Sequence, residues 1–179
     1  MFVFFIPAIS MRLLADEKKS GTIELLYTYP IKDSEIVVGK YLAALGLLGV
    51  VLVCTLFYAF TIASLGNIDT GQTVAGYVGL VLMAAAYLAI GVFASSVTDN
   101  QIVAFILALF ISFFFFIADK ILFFLPSGLA GVFEYLGIEY HFQNVARGVI
   151  DTRNLLYFAS VIFFALLLAS HALSRRRGD

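Results

Sequence analysis

Apolar runs alternate with short polar segments along this chain, and their lengths set the architecture. Tyr41–Leu65 and Thr73–Val97 are each free of charge for 25 residues. A helix of that length is about 37 Å long and crosses a hydrocarbon core of about 30 Å with some tilt. Ile102–Ala118 (17 residues) and Asn154–Leu173 (20 residues) are shorter crossings. Met1–Leu13 is a half-length run of roughly 20 Å, with Pro7 expected to bend it or mark its start and Arg12 placed to snorkel at its end. The pattern reads as the second half of a membrane helix followed by four full spans, with a preceding segment expected upstream.

One long charged segment interrupts this pattern. Residues 14–40 contain Asp16, Glu17, Lys18, Lys19, Glu24, Lys32, Asp33, Glu35 and Lys40. Helical spacing over Thr22–Thr28 puts Ile23, Leu26 and Tyr27 on one stripe, with Thr22 and Glu24 off it. Pro30 stops that helix, and Asp33 or Ser34 caps a second one with Glu35 in its first turn. A short amphipathic helix between two spans is the expectation.

The loops are as short as the spans are long. Gly66–Gly71 is a cluster of turn residues and Thr98–Gln101 a tight polar loop. Small residues recur at helical spacing in the third run, as Ala75/Gly79, Ala85/Ala89 and Gly91/Ser95. Such pairs let helices approach closely, and packing within one subunit is favoured over a dimer face. Asp119 and Lys120 close the fourth run. A charge at the bilayer centre costs roughly 2.5–3.5 kcal/mol, so both are expected near the surface, paired to each other or to a neighbour. Ser127–Ile150 is too interrupted to span and is expected to form short interfacial or re-entrant helices on the outer side.

Composition enforces the membrane class: 62% of the 179 residues are hydrophobic and 13% are charged, against about 25% charge in a soluble domain. The N-terminal run lacks the basic lead and small-residue cleavage site of a secretion signal. Cys54 is alone, which excludes an intrachain disulfide, and it is expected to be a buried small apolar residue. Placing Arg175–Arg177 in the cytoplasm puts eight of the eleven Lys and Arg residues on that side, with Lys120, Arg147 and Arg153 opposite. That asymmetry follows the positive-inside rule. The segment 14–40 and the C-terminus are then cytoplasmic, and the segment 119–153 is outer.

No chemistry of its own is legible in the chain. Gly39-Lys40 has no glycine-rich lead and no following Ser or Thr, so there is no P-loop. There is no HExxH. His141 and His171 stand thirty positions apart and read as packing or interface residues. Ser95-Ser96 has no base beside it. The second and third runs carry no ionisable group of the kind an ion-coupled carrier uses, so energy for transport has to come from elsewhere. A carrier or channel, and a scaffold anchoring a cytoplasmic complex, are the rival classes. No nucleic-acid binding is expected.

Residues 6–26, Ile-Pro-Ala-Ile-Ser-Met-Arg-Leu-Leu-Ala-Asp-Glu-Lys-Lys-Ser-Gly-Thr-Ile-Glu-Leu-Leu, with Pro30 and Gly39-Lys40 behind them, resemble the signature of ABC-2 type transporter permeases. In that signature an acidic-basic-Gly-Thr-[Ile/Leu]-Glu-Leu-Leu segment precedes a proline and a later Gly-Lys. Thr98–Ala104 and His141–Asp151 look similar to the subfamily associated with bacterial gliding motility and, more loosely, with copper nitrous-oxide reductase maturation.

The resemblance implies an all-α, polytopic transmembrane helical bundle over residues 1–179, holding about five of the six spans of an ABC-2 membrane domain. It implies a multi-pass protein of the bacterial cytoplasmic (inner) membrane with a cytoplasmic C-terminus. Two such domains would pair, as homo- or heterodimer, and each would dock on a cytoplasmic ABC ATPase subunit. An extracytoplasmic accessory protein is a further expected partner. The ATP and magnesium belong to the ATPase; this chain is expected to hold no cofactor, no metal and no catalytic residue. The coupling helix maps onto Ser20–Thr28, with Glu17, Lys18 and Lys19 leading into it and Gly21, Thr22, Ile23, Glu24, Leu25 and Leu26 within it. Ile23, Leu25 and Leu26 would supply buried contact with the ATPase, and the charged residues orientation and partner choice. The segment 119–153 would form a partial lid over the path of an exported substrate.

Overall fold

The computed structural model describes residues 1–27, 31–66, 69–121, 127–148 and 151–177. Its elements run α1 (Phe2–Ser10), α2 (Ala15–Lys19), α3 (Thr22–Tyr27), α4 (Asp33–Leu65), α5 (Thr70–Val97), α6 (Gln101–Ile117), α7 (Ser127–Leu136), α8 (Ile138–Ala146) and α9 (Thr152–Arg177). Among the described residues there is no strand, and the fold is the all-α helical bundle that the periodicity predicts. By length and composition α4, α5 and α9 can each cross a membrane, and α6 is a shorter apolar helix.

The bundle is arranged around α5. An unbroken stretch from Ala84 to Val92 is buried, as are Ala94, Ser95 and Ser96. Helices α1, α4, α6, α8 and α9 all pack against it. The small-residue pairs account for this centrality, since Ala75, Gly79, Ala85, Ala89, Gly91 and Ser95 are all buried inside the chain. A Cβ on Gly91 would lie 1.9 Å from Ser10 Oγ, and one on Gly79 would lie 3.2 Å from the Phe142 ring. Close helix approach within one subunit is thus the role of these residues.

Helix α4 is the opposite case. It buries Ile36, Val37, Tyr41, Ala44 and Leu48 and leaves most of its second half exposed, including Val53, Phe57, Phe60 and Leu65. Cys54 lies on this exposed half and is not the buried residue expected. In a helix surrounded by lipid an outward thiol has no desolvation reason to turn inward. An apolar groove of about 540 Å³ runs between α4 and α5, past Leu52, Leu56, Val74 and Tyr77.

Several boundaries differ from the expectation for physical reasons. The first run stops being regular helix at Ser10, short of Leu13, and Pro7 sits buried inside α1, where its carbonyl still accepts the Met11 N–H at 3.0 Å. The second helix of the charged segment does not end before the next span. It begins at Asp33, capped from Lys32 and not from Asp33 or Ser34, and continues unbroken to Leu65. Glu35 Oε2 accepts the Lys32 N–H at 3.1 Å, and nothing between 35 and 41 breaks the helix. Thr70 and Gly71 belong to α5, because the Asp69 carboxylate accepts the Gly71 and Gln72 N–H groups at 2.9 and 3.2 Å. The α9 helix extends through Arg177, beyond the expected end at Leu173. The expected stop at Pro30 lies outside the described residues.

Helix α6 is about 25 Å long, less than a hydrocarbon core, and is followed by the α7–α8 pair. Its tip reaches into the bundle, with Leu136 facing the same cavity as Ile90, Phe115 and Tyr157, and Ile138 fully buried. A Cβ on Gly137 would lie 2.7 Å from Asp119 Cβ, so this turn needs glycine. Short helices were expected from 127–150, and α7 and α8 are short helices. Asp119 is paired with Lys120, as expected, its Oδ2 3.6 Å from Lys120 Nζ; the side chain is largely covered by the turn at Gly137, and its Oδ1 is buried without a partner among the described residues. Lys120 extends outward over the Phe116 ring, 4.4 Å from its centroid.

Candidate functional site: a helical elbow tied to three spans

Helices α2 and α3 form an elbow at the end of the bundle where α4 begins and α5 ends. Met11–Leu14 leaves α1 as a turn, and the chain re-enters helix at Ala15 with no capping side chain of its own. The cap comes from 80 residues away. Ser95 Oγ accepts the Leu14 and Ala15 N–H groups at 3.0 and 2.9 Å and donates to Met11 O at 3.1 Å. Leu14, Ala15 and Ser95 are fully buried, so this one hydroxyl satisfies two donors that water cannot reach. Ser95 is a structural capping residue, in keeping with the lack of a base beside it.

Each of the next three residues is tied to a different helix. Asp16 Oδ1 accepts from the Gln101 side-chain amide of α6. Glu17 pairs with Lys40 of α4, and Lys18, 8% exposed, donates to the Ser96 carbonyl near the end of α5. The second Glu17 oxygen is buried without a partner among the described residues. The elbow then turns at Ser20-Gly21. Gly21 has φ +71°, the left-handed region that favours glycine, and the Ser20 and Thr22 hydroxyls meet at 2.9 Å.

The site residues expected from the sequence therefore divide into two sets. Glu17, Lys18 and Ile23 face the chain itself: Ile23 is 4% exposed within the main core, and Leu26 is half-buried against it. Lys19, Thr22 and Glu24 are exposed, and Leu25 lies on the same short helix, α3. Lys18 and Ile23, expected to meet a partner, are buried within this chain, Lys18 against the Ser96 carbonyl near the end of α5. Helix α3 (Thr22–Tyr27) falls within the expected Ser20–Thr28, and the lead-in residues Glu17–Lys19 belong to a separate short helix, α2, on the other side of the turn at Gly21; Thr28 lies outside the described residues. Among the described residues there is no cluster of three or more His, Cys, Asp or Glu able to hold a metal ion.

At the other end of the bundle His141 is the packing residue expected, with partners that the sequence did not name. His141 is 1% exposed. Its Nε2 lies 3.0 Å from the Tyr135 carbonyl, which can only accept, and its Nδ1 lies 2.7 Å from Asn154 Oδ1. The ring stacks on Tyr157, with centroids 3.9 Å apart, and meets the edges of Tyr135 and Tyr140. Tyr157 Oη donates to Leu136 O at 2.6 Å. These contacts bind α7, α8 and α9 together and close the floor of a polar cavity of about 330 Å³. The available signal was the sequence Tyr135–His141, aromatic and polar residues crowded into a segment too short to span. Its meaning depends on Asn154, 13 positions away. His171, by contrast, is exposed on α9.

The fold and the elbow together define a polytopic helical membrane protein whose one charged interhelical segment is built into the ends of its spans. Residues 1–134 match the ABC-2 family transporter protein family, and the chain belongs to that family. The match covers α1 to α6 and most of α7. No curated protein matches the chain.

Proposed function

We propose that the chain is the membrane-spanning permease subunit of a bacterial ABC exporter, and that the α2–α3 elbow is where a separate ATPase subunit docks. One observation carries the reading: three consecutive side chains of α2 are tied to three different spans, while Lys19, Thr22 and Glu24 on the same elbow remain exposed. A push on the exposed face has no slack to take up before it reaches α4, α5 and α6. In this reading ATP and magnesium sit in the partner, and this chain contributes movement but no catalytic group or cofactor. The elbow end and the C-terminus face the cytoplasm, as the eight-to-three division of basic residues supports.

The exposed apolar half of α4 and its groove with α5 offer lipid or a second permease subunit a wide surface. An extracytoplasmic accessory protein would meet the opposite end. The finer assignment, to the gliding-motility-associated subfamily, rests on the motifs at 98–104 and 141–151 alone.

The test is co-purification of the protein from its native membrane in mild detergent. A P-loop ATPase in stoichiometric amount, lost in the Glu24→Lys variant, supports the reading. No ATPase, together with ATP-independent flux in proteoliposomes, replaces it with a carrier; no ATPase and no flux replaces it with a scaffold.

A further inference from the structure

We propose that the polar cavity between α8 and α9 is a binding site for the phosphate-bearing headgroup of an anionic phospholipid. It lies beyond the family match, which ends at residue 134, and outside the elbow. Arg147 follows α8, and Arg153 stands in the first turn of α9. Both are exposed and line the cavity, and neither guanidinium has a hydrogen bond or ion pair among the described residues. The one acidic residue lining the cavity, Asp151, is already engaged, its Oδ1 accepting the Arg153 N–H at 3.0 Å and the Thr152 hydroxyl at 3.4 Å. Two cations against one capping carboxylate leave the cavity net positive.

The rest of the lining suits a headgroup as well as an anion. The Tyr135 and Tyr140 hydroxyls and the Asn144 amide line the cavity and form no hydrogen bond among the described residues. Two guanidinium forks fit the oxygens of a phosphate, and hydroxyls and an amide fit polyol oxygens beside it. The volume, about 330 Å³, is at the lower end of small-ligand sites.

Position selects the source of the phosphate. The apolar run of α9 begins directly after Asn154, so Arg153 marks the boundary between hydrocarbon and headgroups, where tyrosines also concentrate. A phosphate held at that level most simply arrives on a lipid. The floor is rigid: His141 and Asn154 are both nearly fully buried and bonded to each other. The ligand thus meets donors already in place.

The experiment is native mass spectrometry of the full chain, exchanged into detergent with equal amounts of phosphatidylglycerol and phosphatidylcholine. One phosphatidylglycerol is expected to stay bound preferentially. Its affinity should fall about tenfold or more for each arginine removed in Arg147→Gln and Arg153→Gln, and be unchanged in Lys120→Gln, which removes an exposed cation outside the cavity. Arg147→Lys with Arg153→Lys keeps the charge and loses the fork, and should be intermediate. It also serves as the informative variant should the glutamine pair fail to yield a monodisperse protein. Equal retention of the two lipids, or unchanged phosphatidylglycerol binding in the arginine variants, overturns the proposal. Displacement of phosphatidylglycerol by inorganic phosphate at matching concentration overturns the lipid as occupant and assigns the cavity to the free anion.

Discussion

At one end of the bundle the charged side chains of α2, Lys19 apart, are spoken for: Asp16 by Gln101, Glu17 by Lys40, Lys18 by the Ser96 carbonyl. At the other end Arg147 and Arg153 line a cavity with no partner among the described residues, above a floor where both ring nitrogens of His141 are bonded. The first arrangement transmits, because a group bonded to another helix carries force into it. The second receives, because an unmatched donor set is a ready place for an acceptor. Saturated polar networks rigidify a structure, and unsaturated ones mark where a ligand or solvent completes it.

The comparison is broken most severely at Ser95. Ser95→Ala leaves the Leu14 and Ala15 N–H groups buried without an acceptor and should cost about 2–5 kcal/mol. Thermal unfolding of the purified protein would measure it, and limited proteolysis should show α2–α3 released first. A stability within about 0.5 kcal/mol of the parent would mean that Ser95 does not hold the elbow.

Next in size is the seam between α1 and α5. Gly91→Ala places a Cβ against Ser10 Oγ and should destabilise by about 1–3 kcal/mol. Adding Ser10→Gly should recover most of the loss, and a failure to recover would locate the strain elsewhere. At the far end His141→Ala removes the stack on Tyr157 and two hydrogen bonds. A cost of about 1–2 kcal/mol is expected there, since water from the open cavity can reach the freed groups. Hydrogen exchange should rise in α7–α8 and not in α2–α3; the reverse pattern would show that the two ends are not independent. Smallest in stability is Glu24→Lys, on the exposed face of α3, with less than about 0.5 kcal/mol expected in unfolding and a clear loss of ATPase association. A large loss of stability there would mean that Glu24 is part of the fold and not of a docking face.

The same contrast explains what was legible in the sequence. The spans were readable because membrane crossing is a local property: twenty or so apolar residues declare it without reference to anything else. Short helices between 127 and 150 were readable for the complementary reason, as interruptions of that pattern. Which side of the elbow faces inward was not readable, because the inward set is chosen by residues 78 to 85 positions away, Ser95, Ser96 and Gln101, that meet α2 only after folding. Ile23 sits on an apolar stripe whether it contacts a partner or its own chain, and periodicity is identical in the two cases. The pairing of Asp119 with Lys120 was readable from the cost of burying charge, while its contact with the turn at Gly137 depends on a helix that hydropathy does not place. His141 was invisible as a clamp because its four aromatic neighbours and Asn154 come from α7, α8 and α9 together.

The most direct test of the central claim is site-specific photo-crosslinking in native membranes, with a photoreactive side chain placed at Glu24 in one protein and at Tyr140 in another. The account predicts a covalent adduct with a P-loop ATPase from position 24 and none from position 140. An ATPase adduct from position 140, or from neither position while the protein remains folded and in the membrane, would contradict docking at the elbow.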